Sequence, residues 1–170
     1  MVFSSISFLS GFLLLVFLIH TIIPNIHIKN ACLVLFSILF YAVGEPVYVL
    51  LMLGSSFVNY LLGLWMEQAD KKQKKKLKKG ILIAAVTANL ALLVVFKYTD
   101  FLIGIINQIG HLSIPYLKLV MPIGISFFTF QTMSYVIDLY RGDCDCQKNY
   151  FRLLLYISFF PQLIAGPIIK

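Results

Sequence analysis

The residues best placed to do chemistry lie between Met121 and Pro167, in two apolar runs joined by a short polar loop. The first run carries Ser126, Thr129, Gln131, Thr132, Ser134, Tyr135 and Asp138; the second carries Tyr156, Ser158 and Gln162. A helix that only anchors a protein has no use for such groups. Polar side chains are costly in hydrocarbon, so those present face a protein interior or a wet cavity. Pro122 and Gly124 in one run, and Pro161, Gly166 and Pro167 in the other, predict breaks in the helices. Broken backbone at membrane depth is tolerated only where it packs on protein or lines a cavity. The side-chain amides of Gln131 and Gln162 suit a carbonyl or hydroxyl, or else the hydrogen bonding that glues one helix to another. Asp138 and Arg141, three residues apart, share one helical face. They are expected to form an ion pair or, with Asp138 turned to a substrate, a working group. The segment reads as the wall of a site.

Other chemistry is less well supported. There is no GxxxxGK[ST], HExxH or GxSxG run, hence no phosphate cradle, zincin helix or hydrolase elbow. His20, His27 and His111 fall at span ends or in loops, as interfacial histidines do, without the held and protected geometry of general base catalysis. Cys144 and Cys146 form a CxC that provides two ligands where a structural zinc needs four. They are expected in a solvated loop, reduced if that loop is cytoplasmic. Cys32 lies in an apolar run and reads as packing. No metal site is indicated.

The elements that would position these groups follow from composition. The chain is 60% hydrophobic, 15% aromatic and 12% charged, with a mean hydropathy of +0.91. A soluble domain of this size is roughly half apolar and a quarter charged, so lipid is the expected solvent. The pattern predicts an all-α polytopic transmembrane helical bundle of about six membrane segments: Ile6–Ile23, Ala31–Val43, Val47–Met66, Ile81–Phe96, Leu117–Tyr140 and Phe151–Ile169. A crossing helix takes about 20 apolar residues. Ala31–Val43 falls short of that and Ile81–Phe96 is marginal.

Orientation follows from basic residues in short loops. Seven of the fourteen Lys and Arg lie in Lys71–Lys79. Between two apolar spans this run marks a cytoplasmic loop, and nucleic acid is not the expected partner. Lys29 and the loop Arg141–Arg152 then fall on the same side, whereas Lys97 and Lys118 lie near the outer face against the trend. The first span has no basic leader or cleavage pattern and reads as a retained helix. Asp100–Pro115 reads as an outer loop or a helix lying in the interface.

Two segments carry a resemblance. PIGISFFTFQTMSYVIDLYRG (Pro122–Gly142) and FFPQLIAGPI (Phe159–Ile168) resemble the hallmark segments of the membrane-bound O-acyltransferase family. MVFSSISFL (Met1–Leu9) and FKYTDF (Phe96–Phe101) are similar to its alginate O-acetylation branch. The resemblance implies a multi-pass enzyme of the bacterial cytoplasmic membrane. It would move an acyl group from a donor on the cytoplasmic side, acetyl-CoA or another acyl carrier, to hydroxyls of an envelope polysaccharide. The transfer would be direct or through a partner extracytoplasmic acetyltransferase. It further implies a tunnel with Ser126, Gln131, Ser134, Tyr135, Asp138, Arg141 and Gln162 as wall candidates. The family's essential histidine lies on a later stretch that matches none of the three here, so residues 1–170 read as an N-terminal part and no catalytic residue is assigned. D-alanyl transfer to teichoic acid by the same family, and a non-catalytic membrane scaffold, are the alternatives. A transporter would show paired broken helices in two repeated halves, and no repeat is seen.

Overall fold

A computed structural model describes residues 8–110, 113–159 and 161. Described residues form seven α-helices and no strand: α1 (Leu14–Ile22), α2 (Ile26–Gly44), α3 (Tyr48–Lys71), α4 (Lys75–Leu93), α5 (Thr99–Gly110), α6 (Ile125–Arg141) and α7 (Tyr150–Ser158). A π-helical segment, Phe8–Leu13, leads into α1, and a second, Val94–Tyr98, joins α4 to α5. The expected all-α helical bundle is borne out.

The number of crossings is borne out only in part. Three helices among the described residues are long and apolar enough to span a bilayer: Ile26–Gly44, Tyr48–Lys71 and the continuous Lys75–Gly110. Local chemistry explains each departure. The second segment is 19 residues long rather than short, because Asn25 caps it early, its side chain accepting from His27 N–H at 2.9 Å. Such a cap satisfies a donor that the helix leaves unpaired. The fourth does not end at Phe96 but runs on through the π-helical segment into α5. Of the Asp100–Pro115 stretch, expected as an outer loop or an interfacial helix, the residues up to Gly110 are helical and continue the fourth segment. The fifth starts late. Lys118 has φ 49° and Gly124 φ 75°, both left-handed, and Pro122 stands between them, so Leu117–Met121 is non-helical and α6 begins at Ile125. Pro122 and Gly124 therefore end a segment rather than break a helix. The sixth is helical from Tyr150 to Ser158. Pro161 follows that helix, whereas Gln162, Gly166 and Pro167 lie outside the described residues, as does His111.

The helices pack side by side, with α3 and α4 antiparallel across their short turn. α4 packs on α3 and α6, and α7 packs on α2 and α3. Phe12 meets Phe36 and Phe40 with ring centroids 5.8 and 5.6 Å apart, seating the first helix against α2. At Gly63 on α3 an added Cβ would lie 3.1 Å from Tyr135 Oη and 3.4 Å from Leu139 Cδ2. Glycine is what lets α6 approach α3 so closely, as small residues do between membrane helices. Two amides lock the α3–α4 pair. Asn89 Nδ2 donates to Asn59 Oδ1 at 2.8 Å, and Asn59 Nδ2 donates back at 3.3 Å. Their amides also donate to Ala85 O and Ser55 O one turn back. Both side chains are buried, and neither was singled out from the sequence.

The packing gathers the basic loops at one end. The α3–α4 turn, the loop after α6 and the start of α2 lie together: Glu67 and Asp70 line a cleft with Gly142 and Cys146, and His27 and Asn30 line another with Asn149 and Arg152. At the far end Tyr48 packs edge-on against Phe96 with centroids 5.7 Å apart. Lys97 and Lys118 fall at that far end.

Candidate functional site

Two of the polar groups of α6, Tyr135 and Asp138, line a cleft at the basic end. A cleft of about 250 Å³ there is lined by Tyr135 and Asp138 of α6, Cys144, Asp145 and Gln147 of the following loop, and Arg152, Leu153 and Tyr156 of α7. The chain folds this way for local reasons. Gly142, at φ 82°, ends α6 in a left-handed turn, with Asp143 N–H donating to Asp138 O at 2.9 Å, a glycine-closed helix end. Asn149 then caps α7 by accepting from Phe151 N–H at 2.9 Å. The loop between is pinned from inside: Gln147 N–H donates to Tyr135 Oη at 3.1 Å. A second cleft of about 190 Å³ adjoins it, sharing Cys144 and Asp145 and reaching Glu67, Asp70 and Lys78. Ion pairs tie the surrounding elements together. Glu67 pairs with Lys71 at 2.7 Å and reaches Lys148 at 4.0 Å, and Asp70 pairs with Lys78 at 2.8 Å. Lys78 also sits 5.5 Å over the ring of Tyr140. Two of the seven lysines of the basic run are thus spent on structure.

The residues expected in a wall fall in different places. Tyr135 and Asp138 line the cleft. Ser134 donates to Asp138 Oδ2 at 3.2 Å, so this carboxylate is held along its own helix. The expected ion pair between Asp138 and Arg141 does not form, because Arg141 is exposed on the last turn of α6; Arg152 of α7 is the guanidinium in the cleft. Gln131 is buried above it, where its Nε2 donates to the backbone oxygen of Tyr156 at 2.8 Å and joins α6 to α7. Ser126 is half-buried near the start of α6 and lines none of these clefts. The hydroxyls of Thr129, Ser158 and Tyr41 are buried without a hydrogen-bond partner among the described residues.

The CxC differs from expectation. Cys144 and Cys146 are half-buried rather than solvated. Tyr135 Oη contacts Cys146 Sγ at 3.9 Å, and Cys144 Sγ lies 4.0 Å from the Tyr135 carbonyl oxygen. Burial pushes both thiols up, and the carboxylates of Asp138 and Asp145 push Cys144 further. The thiolate is the reactive form, so both cysteines are expected to alkylate more slowly with iodoacetamide at pH 8 than the same thiols in unfolded chain. The rate should still be rising beyond pH 9. A plateau below pH 8.5 would contradict the buried setting. The stability sign follows. A folded pKa above the unfolded one means the thiols favour the fold below the unfolded pKa, and that contribution is lost as pH rises through the folded value.

His20 closes α1 and lines an apolar cleft of about 240 Å³ with Leu13, Val16, Phe17, Leu33, Phe159 and Pro161. His27 sits at the start of α2. Among the described residues no three His, Cys, Asp or Glu side chains are grouped to hold a metal ion.

Fold and clefts together define a helical membrane protein with a cleft at its basic end that carries Tyr135, Asp138 and Arg152. No family profile matches the chain, and no solved structure matches it. It is similar to the probable alginate O-acetylase AlgI of Pseudomonas aeruginosa, 36% identical over 174 residues that take in 100% of this chain and 33% of that protein. It is also similar to the probable alginate O-acetylase AlgI of Pseudomonas syringae pv. tomato, 34% identical over 100% of this chain and 33% of the relative. The peptidoglycan O-acetyltransferase of Helicobacter pylori is 34% identical over 98% of this chain and 35% of its own length. The chain spans about a third of the length of these relatives. They bear out the resemblance to the membrane-bound O-acyltransferase family, in its alginate O-acetylation branch.

Proposed function

We propose that this chain forms the donor-side part of a membrane O-acetyltransferase of the cytoplasmic membrane, which passes acetyl groups from a cytoplasmic donor to hydroxyls of an extracytoplasmic polysaccharide. The observation that carries this reading is similarity along the whole chain to proteins named as O-acetylases of alginate and of peptidoglycan. The fold supports it. The Lys71–Lys79 turn, the loop after α6 and Lys29 lie at one end, which the distribution of basic residues makes cytoplasmic, and the cleft of Tyr135, Asp138, Arg152 and Tyr156 opens there. An acetyl donor such as acetyl-CoA is anionic, and Arg152 is the cation in that cleft. Gln131, Thr129 and Ser158 are buried side chains of the same two helices, farther from the basic end. The proton of the acceptor hydroxyl needs a general base, for which no described residue is proposed.

The test is vectorial transfer by the complete protein in proteoliposomes. A cysteine placed at Gln73 marks the face of the lysine turn through labelling by an impermeant maleimide. Acetyl from labelled acetyl-CoA is expected to reach polysaccharide only when the donor is on the face where that cysteine labels. Transfer from the opposite face alone would reject the orientation, and absence of transfer from acetyl-CoA and acyl carriers alike would reject the function.

A further inference from the structure

Two further clefts follow one another along the seam between α2 and α7. The first, about 170 Å³, stands at the basic end and is lined by His27, Asn30, Ala31, Asn149, Phe151 and Arg152. The second is the apolar cleft of about 240 Å³ that holds His20. Helical spacing sets their register. Leu33 of the second cleft lies three residues after Asn30 on α2, and its Phe159 lies seven after Arg152, at the end of α7. Residues at such intervals share a helical face, so the second cleft continues the first about one to two turns, roughly 5–10 Å, deeper into the bilayer.

The chemistry changes along that line. The cleft at the basic end presents the guanidinium of Arg152, which stays charged, a ring N–H of His27 and the side-chain amide of Asn30. No acidic residue lines it, whereas the neighbouring cleft that shares Arg152 also holds Asp138 and Asp145. Among the described residues Arg152 forms no ion pair, which leaves its charge for a ligand. The deeper cleft is apolar except for His20. α1 runs back along α2, since three residues join them and Phe12 meets Phe36 and Phe40. Leu13, Val16, Phe17 and His20 therefore approach the basic end in that order, and His20 stands at the end of the apolar cleft nearer the headgroup level. Phe17 and Phe151 are exposed, so both clefts are open to the surrounding membrane.

Cationic donors at the surface, one polar ring beneath them and an apolar slot below that match the order of groups in a phospholipid: phosphate, ester carbonyl, acyl chain. The lysine turn makes this end cytoplasmic, and basic pockets between membrane helices on that side suit anionic headgroups. A free phosphate would fill the first cleft and leave the second without a purpose. We propose that the two clefts seat one anionic phospholipid of the cytoplasmic leaflet, its phosphate on His27, Asn30 and Arg152, an ester carbonyl at His20 and one acyl chain against Phe17, Leu33 and Phe159. Bound there, the lipid braces α7, one wall of the larger cleft, against α1 and α2. The site stands independently of the transfer function.

Short-chain lipids test it on the complete protein in neutral detergent, with binding read by thermophoresis and melting followed alongside. The probes are dioctanoyl phosphatidylglycerol, dioctanoyl phosphatidylcholine, inorganic phosphate and acetyl-CoA. Dioctanoyl phosphatidylglycerol is expected to raise the melting temperature and to bind at least tenfold more tightly than phosphatidylcholine and a hundredfold more tightly than phosphate. Asn30→Asp, which keeps the shape of the side chain and adds a negative charge, and His27→Ala should each weaken it at least fivefold. Phe17→Ala should weaken it three- to tenfold through the acyl chain alone. His27 and Phe17 are exposed and Asn30 is half-buried, and melting without lipid shows that each variant is folded. Equal binding of the two lipids would overturn the proposal, as would a change of less than twofold in both Asn30→Asp and His27→Ala. Phosphate bound as tightly as the lipid would make the first cleft a free-anion site, and acetyl-CoA bound there with phosphatidylglycerol inert would give it to the acetyl donor. Either result also overturns the proposal. Acetyl transfer is read on the same samples: lipid binding that depends on these residues in a protein without transfer keeps the site and sinks the function, whereas transfer without such binding does the reverse.

Discussion

Asn89→Leu is expected to destabilise the bundle by about 1–3 kcal/mol, because it leaves the buried Asn59 amide facing apolar surface with its partner gone. In the native chain each of these amides donates to the other and to a carbonyl one turn back. Leucine suits lipid at least as well as asparagine, so insertion should not suffer. The loss should appear as a lower melting temperature in detergent. Asn59→Leu in the same chain should restore most of it, since removing both partners leaves no orphaned polar group. If the double variant were as unstable as the sum of the two single ones, the pair would not be the lock between α3 and α4.

Gln131→Leu is expected to lower acetyl transfer by the complete protein about tenfold to a hundredfold, the rate equivalent of a lost positioning hydrogen bond worth about 1–3 kcal/mol. Gln131 holds the backbone of Tyr156 at 2.8 Å, and Tyr156 and Leu153 of α7 form one side of the cleft whose other side is Tyr135 and Asp138. Losing that tie frees α7 to shift against α6, and near a reacting group small displacements are expensive. Melting should fall as well, so the decisive figure is the rate per folded molecule. An unchanged specific activity would reduce Gln131 to the glue between two helices.

Much of the fold was legible in the residues because it depends on solvent and period. The long apolar runs and the lysine turn state that the chain is helical and membrane-bound, and they place the basic loops at one end, since hydropathy and the charge rule act locally. Pro122, Gly124 and the run to Asp138 marked α6 as the wall of something, because polar groups in an apolar helix need a reason. What no local pattern contained was partner choice. Asp138 was expected beside Arg141 on spacing alone, yet it takes Ser134, and the cleft's guanidinium comes from Arg152 across a turn closed by Gly142. Cys144 and Cys146 read as solvated until the loop folded them against Tyr135. Asn59 and Asn89, thirty residues apart, look like stray polar residues in two separate spans. Only the antiparallel packing of α3 on α4 brings them into register, and the packing of α6 on α3 decides that Gly63 must be small. The sequence by itself determined the apolar solvent and the helical class, both set by energies that act along the chain. The tertiary structure decided which side chains meet, because a hydrogen bond or an ion pair is fixed by distances across helices that no sequence interval encodes.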